Sequence, residues 1–108
     1  MAYARLDGST IVDWDTFHTA CAKEFGFADF YGQNMNAWID CLTYINEGDG
    51  MSRFVLQPGE LLRIEVAKSE TLRKEAPEIL QALVDGAGFV NQRSVEAGEQ
   101  PRLKLVLL

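Results

Sequence analysis

Asn36, Asp40 and Thr43 recur at helical steps, which would gather an amide, a carboxylate and a hydroxyl on one side of a helix. These groups suit hydrogen bonding and charge recognition, and that face is expected to meet water or a partner. Met35, Trp38, Leu42 and Ile45 fall on another side and call for a core. Two further sets of residues have spacings that chemistry uses. His18 and Cys21 stand one helical turn apart, as two metal ligands or an imidazole and the thiol it activates would. A zinc site needs more ligands than Cys41 adds, and the apolar spacing around Cys21 opposes an exposed nucleophile. Gly48-Asp49-Gly50 is neither a phosphate-binding loop nor a complete calcium loop and reads as a turn. The acidic residues form no recognisable catalytic arrangement. The chain is therefore not expected to be an enzyme or to use a metal or cofactor, a small thiol enzyme built on Cys21, Cys41 or His18 being the weaker alternative.

The elements that must position these groups follow from periodicity. Ala2 to Leu6 reads as a strand closed by the turn pair Asp7-Gly8. Asp13 and Asp15 both offer N-caps to a first helix over Thr16 to Phe25, which Gly26 stops. A loop from Phe27 to Gly32 leads to Asn34, the N-cap of the helix that carries Asp40 and that fades near Asn46. Asn46 to Gly50 reads as a surface loop, and Met51 to Glu60 as an extended arm or an extra strand around Phe54-Val55-Leu56. Leu61 to Val66 alternates apolar and charged residues, as does Arg102 to Leu108, so each predicts a strand with one buried face. Between them, Ser69 to Glu75 predicts a short polar helix. Pro77 then opens a longer one reaching about Ala97, with Leu80, Leu83, Val84, Ala87 and Val90 on its apolar side, a kink or break near Gly86 and Gly88, and Gly98 as C-cap.

Strand, two helices, strand, two helices, strand is the order of an α/β domain with parallel strands and right-handed crossovers. Alternation in the strands leaves one sheet face wet and predicts two layers, with helices on the other face. Residues 1–108 suffice for a single domain with one core. Sixteen acidic residues against ten basic ones, a net charge of -6, oppose direct binding to nucleic acid and favour cationic surfaces. The N-terminal residues lack a signal-peptide pattern and no run is long enough to span a membrane, so a cytoplasmic protein with two buried free thiols, monomeric when free, is expected.

Tyr31-Gly32, Asn34, Ala37 and Asp40-Cys41-Leu42-Thr43 stand at the spacing found in the barstar family, intracellular inhibitors of barnase-type ribonucleases. The chain resembles that family without a gap back through Phe25, Glu24, His18, Ile11 and Leu6-Asp7-Gly8, and more loosely in the last two helices and final strand. The resemblance implies a two-layer barstar-like fold, α/β with a three-stranded parallel sheet and helices packed on one face. It also implies an inhibitor that plugs a basic active site with the loop and helix around residues 29–43, carboxylates standing in for substrate phosphate. On this resemblance Asp40 matches the central acidic residue of the inhibitory helix. Thr43, Asn34, Gly32 and Ala37 match contact or loop-shaping positions, Asp85 aligns with a further acidic contact, and Asp29 adds charge at the rim. Tyr31 belongs to the matching motif, beside three departures from it. Asn36 stands where the family has a second carboxylate, Phe30 replaces a tyrosine, and Ile39 replaces an exposed tryptophan. The segment 47–60 is longer than in the family. These differences point to a ribonuclease other than barnase, or to a barstar-fold adaptor for another cationic protein.

Overall fold

The computed structural model describes residues 2–45 and 51–108. Three parallel strands, β1 (Ala2–Asp7), β2 (Leu62–Ala67) and β3 (Leu103–Leu107), lie in that order, with Ala4 beside Ile64 and Ile64 beside Leu105. Helices α1 (Trp14–Phe25) and α2 (Met35–Thr43) separate the first two strands, and α3 (Ser69–Glu75) and α4 (Pro77–Glu96) the last two. Side chains alternate across the sheet as a period of two requires. Ala4, Leu6, Leu62, Ile64, Val66 and Leu103 are buried against the helices. Tyr3, Arg5, Arg63, Glu65 and Lys104 take the other face, where Glu65 pairs with Arg5 and, at 2.9 Å, with Arg63.

Most elements form where the sequence places them, and the differences have local causes. The first helix begins at Trp14, two residues early, because Asp13 alone caps it: Asp13 Oδ1 accepts from the Thr16 backbone N–H at 2.8 Å while Thr16 Oγ1 accepts from the Asp13 N–H at 3.1 Å. This reciprocal pair satisfies two of the free donors of the first turn, leaving Asp15 inside the helix. Gly26 ends it at φ 63. Segment 51–56 is an arm and not a strand. It is tied to the end of α1 by the Arg53 N–H donating to the Phe25 carbonyl at 2.9 Å and by Ser52 Oγ donating to the same oxygen. The expected fading of α2 near Asn46 and the turn at Asn46 to Gly50 lie outside the described residues; α2 itself closes at Thr43.

The last helix is not broken at its glycines. Residues 77–96 form one helix through both glycines, and Gly86 has a packing reason. A Cβ there would come within 2.9 Å of Met35 Cε and 3.0 Å of Trp38 Cζ3, so its absence lets α2 lie close against α4. Val84, expected on the apolar side, is exposed, and Ile79 is buried in the core instead. Asn91 joins α4 to the sheet: its Oδ1 accepts from the Arg102 and Leu103 N–H groups and its Nδ2 donates to the Leu103 carbonyl.

Candidate functional site

The loop before α2 and the exposed face of that helix bring most of the predicted residues together. Asn34 caps the helix, its Oδ1 accepting from the Ala37 N–H at 2.8 Å, and its Nδ2 donates back to the Gly32 carbonyl. One asparagine thus fixes both the helix start and the turn before it. Asp29, Phe30, Gly32, Asn34, Asn36 and Asp40 are exposed, whereas Tyr31, Ala37, Ile39 and Thr43 are half-buried. Phe30, at 74% exposure, is the most exposed of the large apolar side chains on the described surface. Ile39 and Tyr31 pack partly against the core. Asp85 is exposed on α4, where it accepts from Gln81 Nε2 one turn earlier.

Gly86 packs against Met35 and Trp38, and Arg93, two turns later, reaches Asp40 and Thr43, so α2 and α4 run side by side in the same direction. Arg93 Nη1 donates to Asp40 Oδ1 at 3.0 Å and to Thr43 Oγ1 at 3.2 Å. Thr43 Oγ1 in turn donates to the Ile39 carbonyl at 2.7 Å. Arg102 donates to the Thr43 carbonyl and pairs with Glu99. No basic residue lies in the last turn of α2, so these two arginines bring positive charge from elsewhere in the fold to its carbonyl end. Sequence reasoning missed both, because nothing local to residues 34–43 signals a cation arriving from residue 93 or 102.

Behind the loop runs a chain of ring contacts. Phe54 meets Phe25 at 6.4 Å between centroids, Phe25 meets Phe27 at 5.3 Å, and Phe27 meets Tyr31 at 4.6 Å. Tyr31 then meets His18, which stacks on Trp14 at 5.8 Å. Aromatic packing at such distances contributes about 0.5–1.5 kcal/mol per pair beyond its burial. Gln33, at the loop's end, holds φ 51, a left-handed conformation unusual for a side chain with a Cβ. Beside it, Trp14, His18, Gln33, Asn34 and Met35 line a shallow hollow of about 280 Å³. A larger cleft of about 450 Å³ lies apart, between residues 56–60 and 98–102.

His18 and Cys21 do not form a reactive pair. His18 is buried, with Nδ1 and the Tyr31 hydroxyl 2.6 Å apart, so its chemistry is to hold the loop. Cys21 is free and buried, and burial pushes its thiol up to about 12, far from a thiolate at neutral pH. Among the described residues no three His, Cys, Asp or Glu side chains gather as a metal site would require. Desolvation also lowers the His18 pKa, opposed by the Asp15 carboxylate. As pH falls below about 6.5 the unfolded chain takes up the proton first, so the fold loses stability until pH passes the lowered folded value. Urea midpoints are expected to fall as pH is lowered from neutral through about 6.5, with the slope reduced in His18→Gln; an unchanged slope in that variant would count against the buried neutral imidazole.

The small α/β scaffold thus offers an exposed carboxylate, a capped loop and an apolar tip, with its thiols and imidazole inside. The chain belongs to the barstar family: the family model described as Barstar (barnase inhibitor) matches residues 1–106. At family level it is a barnase-inhibitor-like protein, and members of the family are inhibitors and not enzymes. A comparison with curated proteins found no match. No helix among the described residues is long and apolar enough to cross a membrane.

Proposed function

We propose that this chain inhibits a basic ribonuclease by laying residues 29–43 over its active site, with Asp40 standing in for a substrate phosphate. The observation that carries the reading is the exposed Asp40 carboxylate on the outer face of α2, already hydrogen-bonded to a guanidinium. A carboxylate so placed suits a cationic cleft, and an arginine can engage it with two parallel bonds. Phe30 at the loop tip offers apolar area at one edge, and the hollow beside Gln33 and Asn34 offers a recess for a partner side chain. Asn34 and Gly32 shape the loop, Ala37 allows close approach, and Asn36, Thr43, Tyr31, Ile39, Asp29 and Asp85 form the surroundings.

On this reading the protein acts as a single domain, monomeric when free, in the cytoplasm, and binds neither nucleic acid nor membrane. The net charge of -6 steers it towards a basic partner. Ribonuclease activity titrated with the protein is expected to fall in proportion to inhibitor added at low salt, with the affinity weakening as salt rises. Full activity of every barnase-type ribonuclease tested, at an excess of the protein, would exclude the reading. Asn36, an exposed amide where the family has a carboxylate, favours as second reading an adaptor for a non-nuclease cationic protein. Recovery of such a partner, with no ribonuclease inhibited, would select it.

A further inference from the structure

Resting on the inhibitor reading, we propose that Arg93 is a specificity-determining residue: an internal counter-ion that holds Asp40 in the free protein and with which an incoming arginine competes. Its Nη1 lies 3.0 Å from Asp40 Oδ1, on the atom that one arm of a partner's guanidinium would take. A two-bond contact needs both carboxylate oxygens, so Arg93 and a partner arginine compete for Oδ1. If Arg93 stays, two guanidinium groups share one carboxylate and repel each other. If it leaves, Asp40 and Thr43 lose its bonds and the carbonyl end of α2 loses a cation.

The hold is releasable. Arg93 and Asp40 side chains are 50% and 58% exposed, and an ion pair so placed shifts an equilibrium by a few-fold at most. Arg93 therefore sets a threshold and does not forbid binding. A lysine, whose ammonium is a compact point charge, can approach the remaining oxygen with less conflict than an arginine can. The surface thus discriminates between cationic partners by the geometry of the cation as well as by its charge.

The test is a double-mutant cycle with barnase as the probe: wild type, Arg93→Gln, Asp40→Asn and the double variant, each titrated by calorimetry. Arg93→Gln is expected to bind about two- to fivefold tighter, and this gain should vanish when Asp40 is already asparagine. The Asp40→Asn background separates competition at Asp40 from the general benefit of removing a positive charge. Unchanged or weaker binding in Arg93→Gln overturns the proposal, as does an equal gain in both backgrounds. If none of the four proteins binds, the ribonuclease reading fails for barnase, and the cycle is read in urea unfolding of the free protein. There, strictly additive effects at 40 and 93 mean that nothing holds Asp40 and overturn the proposal.

Discussion

Trp38→Ala is expected to lower the stability of the fold by about 3–5 kcal/mol, the usual cost of truncating a fully buried aromatic side chain. Trp38 is 0% exposed and stands edge to face with Phe25 at 6.2 Å. It also backs directly onto Gly86, where its ring approaches the position of a Cβ to 3.0 Å. The indole therefore packs between Phe25 of α1 and Gly86 of α4, and its truncation leaves a void that the neighbours close only in part. A domain of ordinary stability has only about 5–15 kcal/mol to lose, so this variant should unfold at a much lower urea concentration, as read by circular dichroism. A loss below about 1 kcal/mol would mean that the α2–α4 contact tolerates a cavity, contrary to the close approach at Gly86. Because α2 carries Asp40, any variant that survives should also bind a partner less well.

Asp40→Ala should leave the fold nearly unchanged and strike at recognition. The residue is exposed, and its hydrogen bond to Arg93 belongs to a pair open to solvent, so its removal should shift stability by no more than about 1 kcal/mol. In a complex the same carboxylate would be desolvated against a cation. Removing one member of a buried hydrogen-bonded charge pair then costs about 2–5 kcal/mol, and close charge pairs between barnase and barstar themselves couple by about 1.5–7 kcal/mol. The expected result is a fall in affinity of roughly 30-fold or more, mainly through faster dissociation, in surface-bound kinetics against the inhibited ribonuclease. Equal affinity of the variant and the wild type would remove Asp40 from the centre of the interface.

Much of the fold was legible because its signals are local. Leu62, Ile64 and Val66 alternating with Arg63 and Glu65 mark a half-buried strand, and Asn34 marks a helix start, without reference to the rest of the chain. The packing role of Gly86 was hidden for the complementary reason. Within its own helix glycine is a weakness, and only the arrival of Trp38 and Met35 makes the missing side chain an advantage. The exposed place of Asp40 on its helix was legible from its surroundings in sequence, whereas its counter-ion was not. Arg93 lies 53 residues away, and no periodicity connects a cation on α4 with a carboxylate on α2. The His18–Tyr31 bond was hidden in the same way: helical spacing paired His18 with Cys21, and the fold pairs it with the loop.

The rings that run from Phe54 through Phe27 and Tyr31 to Trp14 have a bearing on how such a surface changes its target. They brace the loop from behind, so its shape is set during folding and need not be assembled on contact. Front and back are thereby uncoupled. Phe30, Gln33 and Asn36 face outward and can be exchanged with small effects on the fold, although Gln33 must keep its left-handed backbone. A library randomised at those three positions should therefore yield mostly folded proteins, differing in residence time on a given partner more than in rate of arrival.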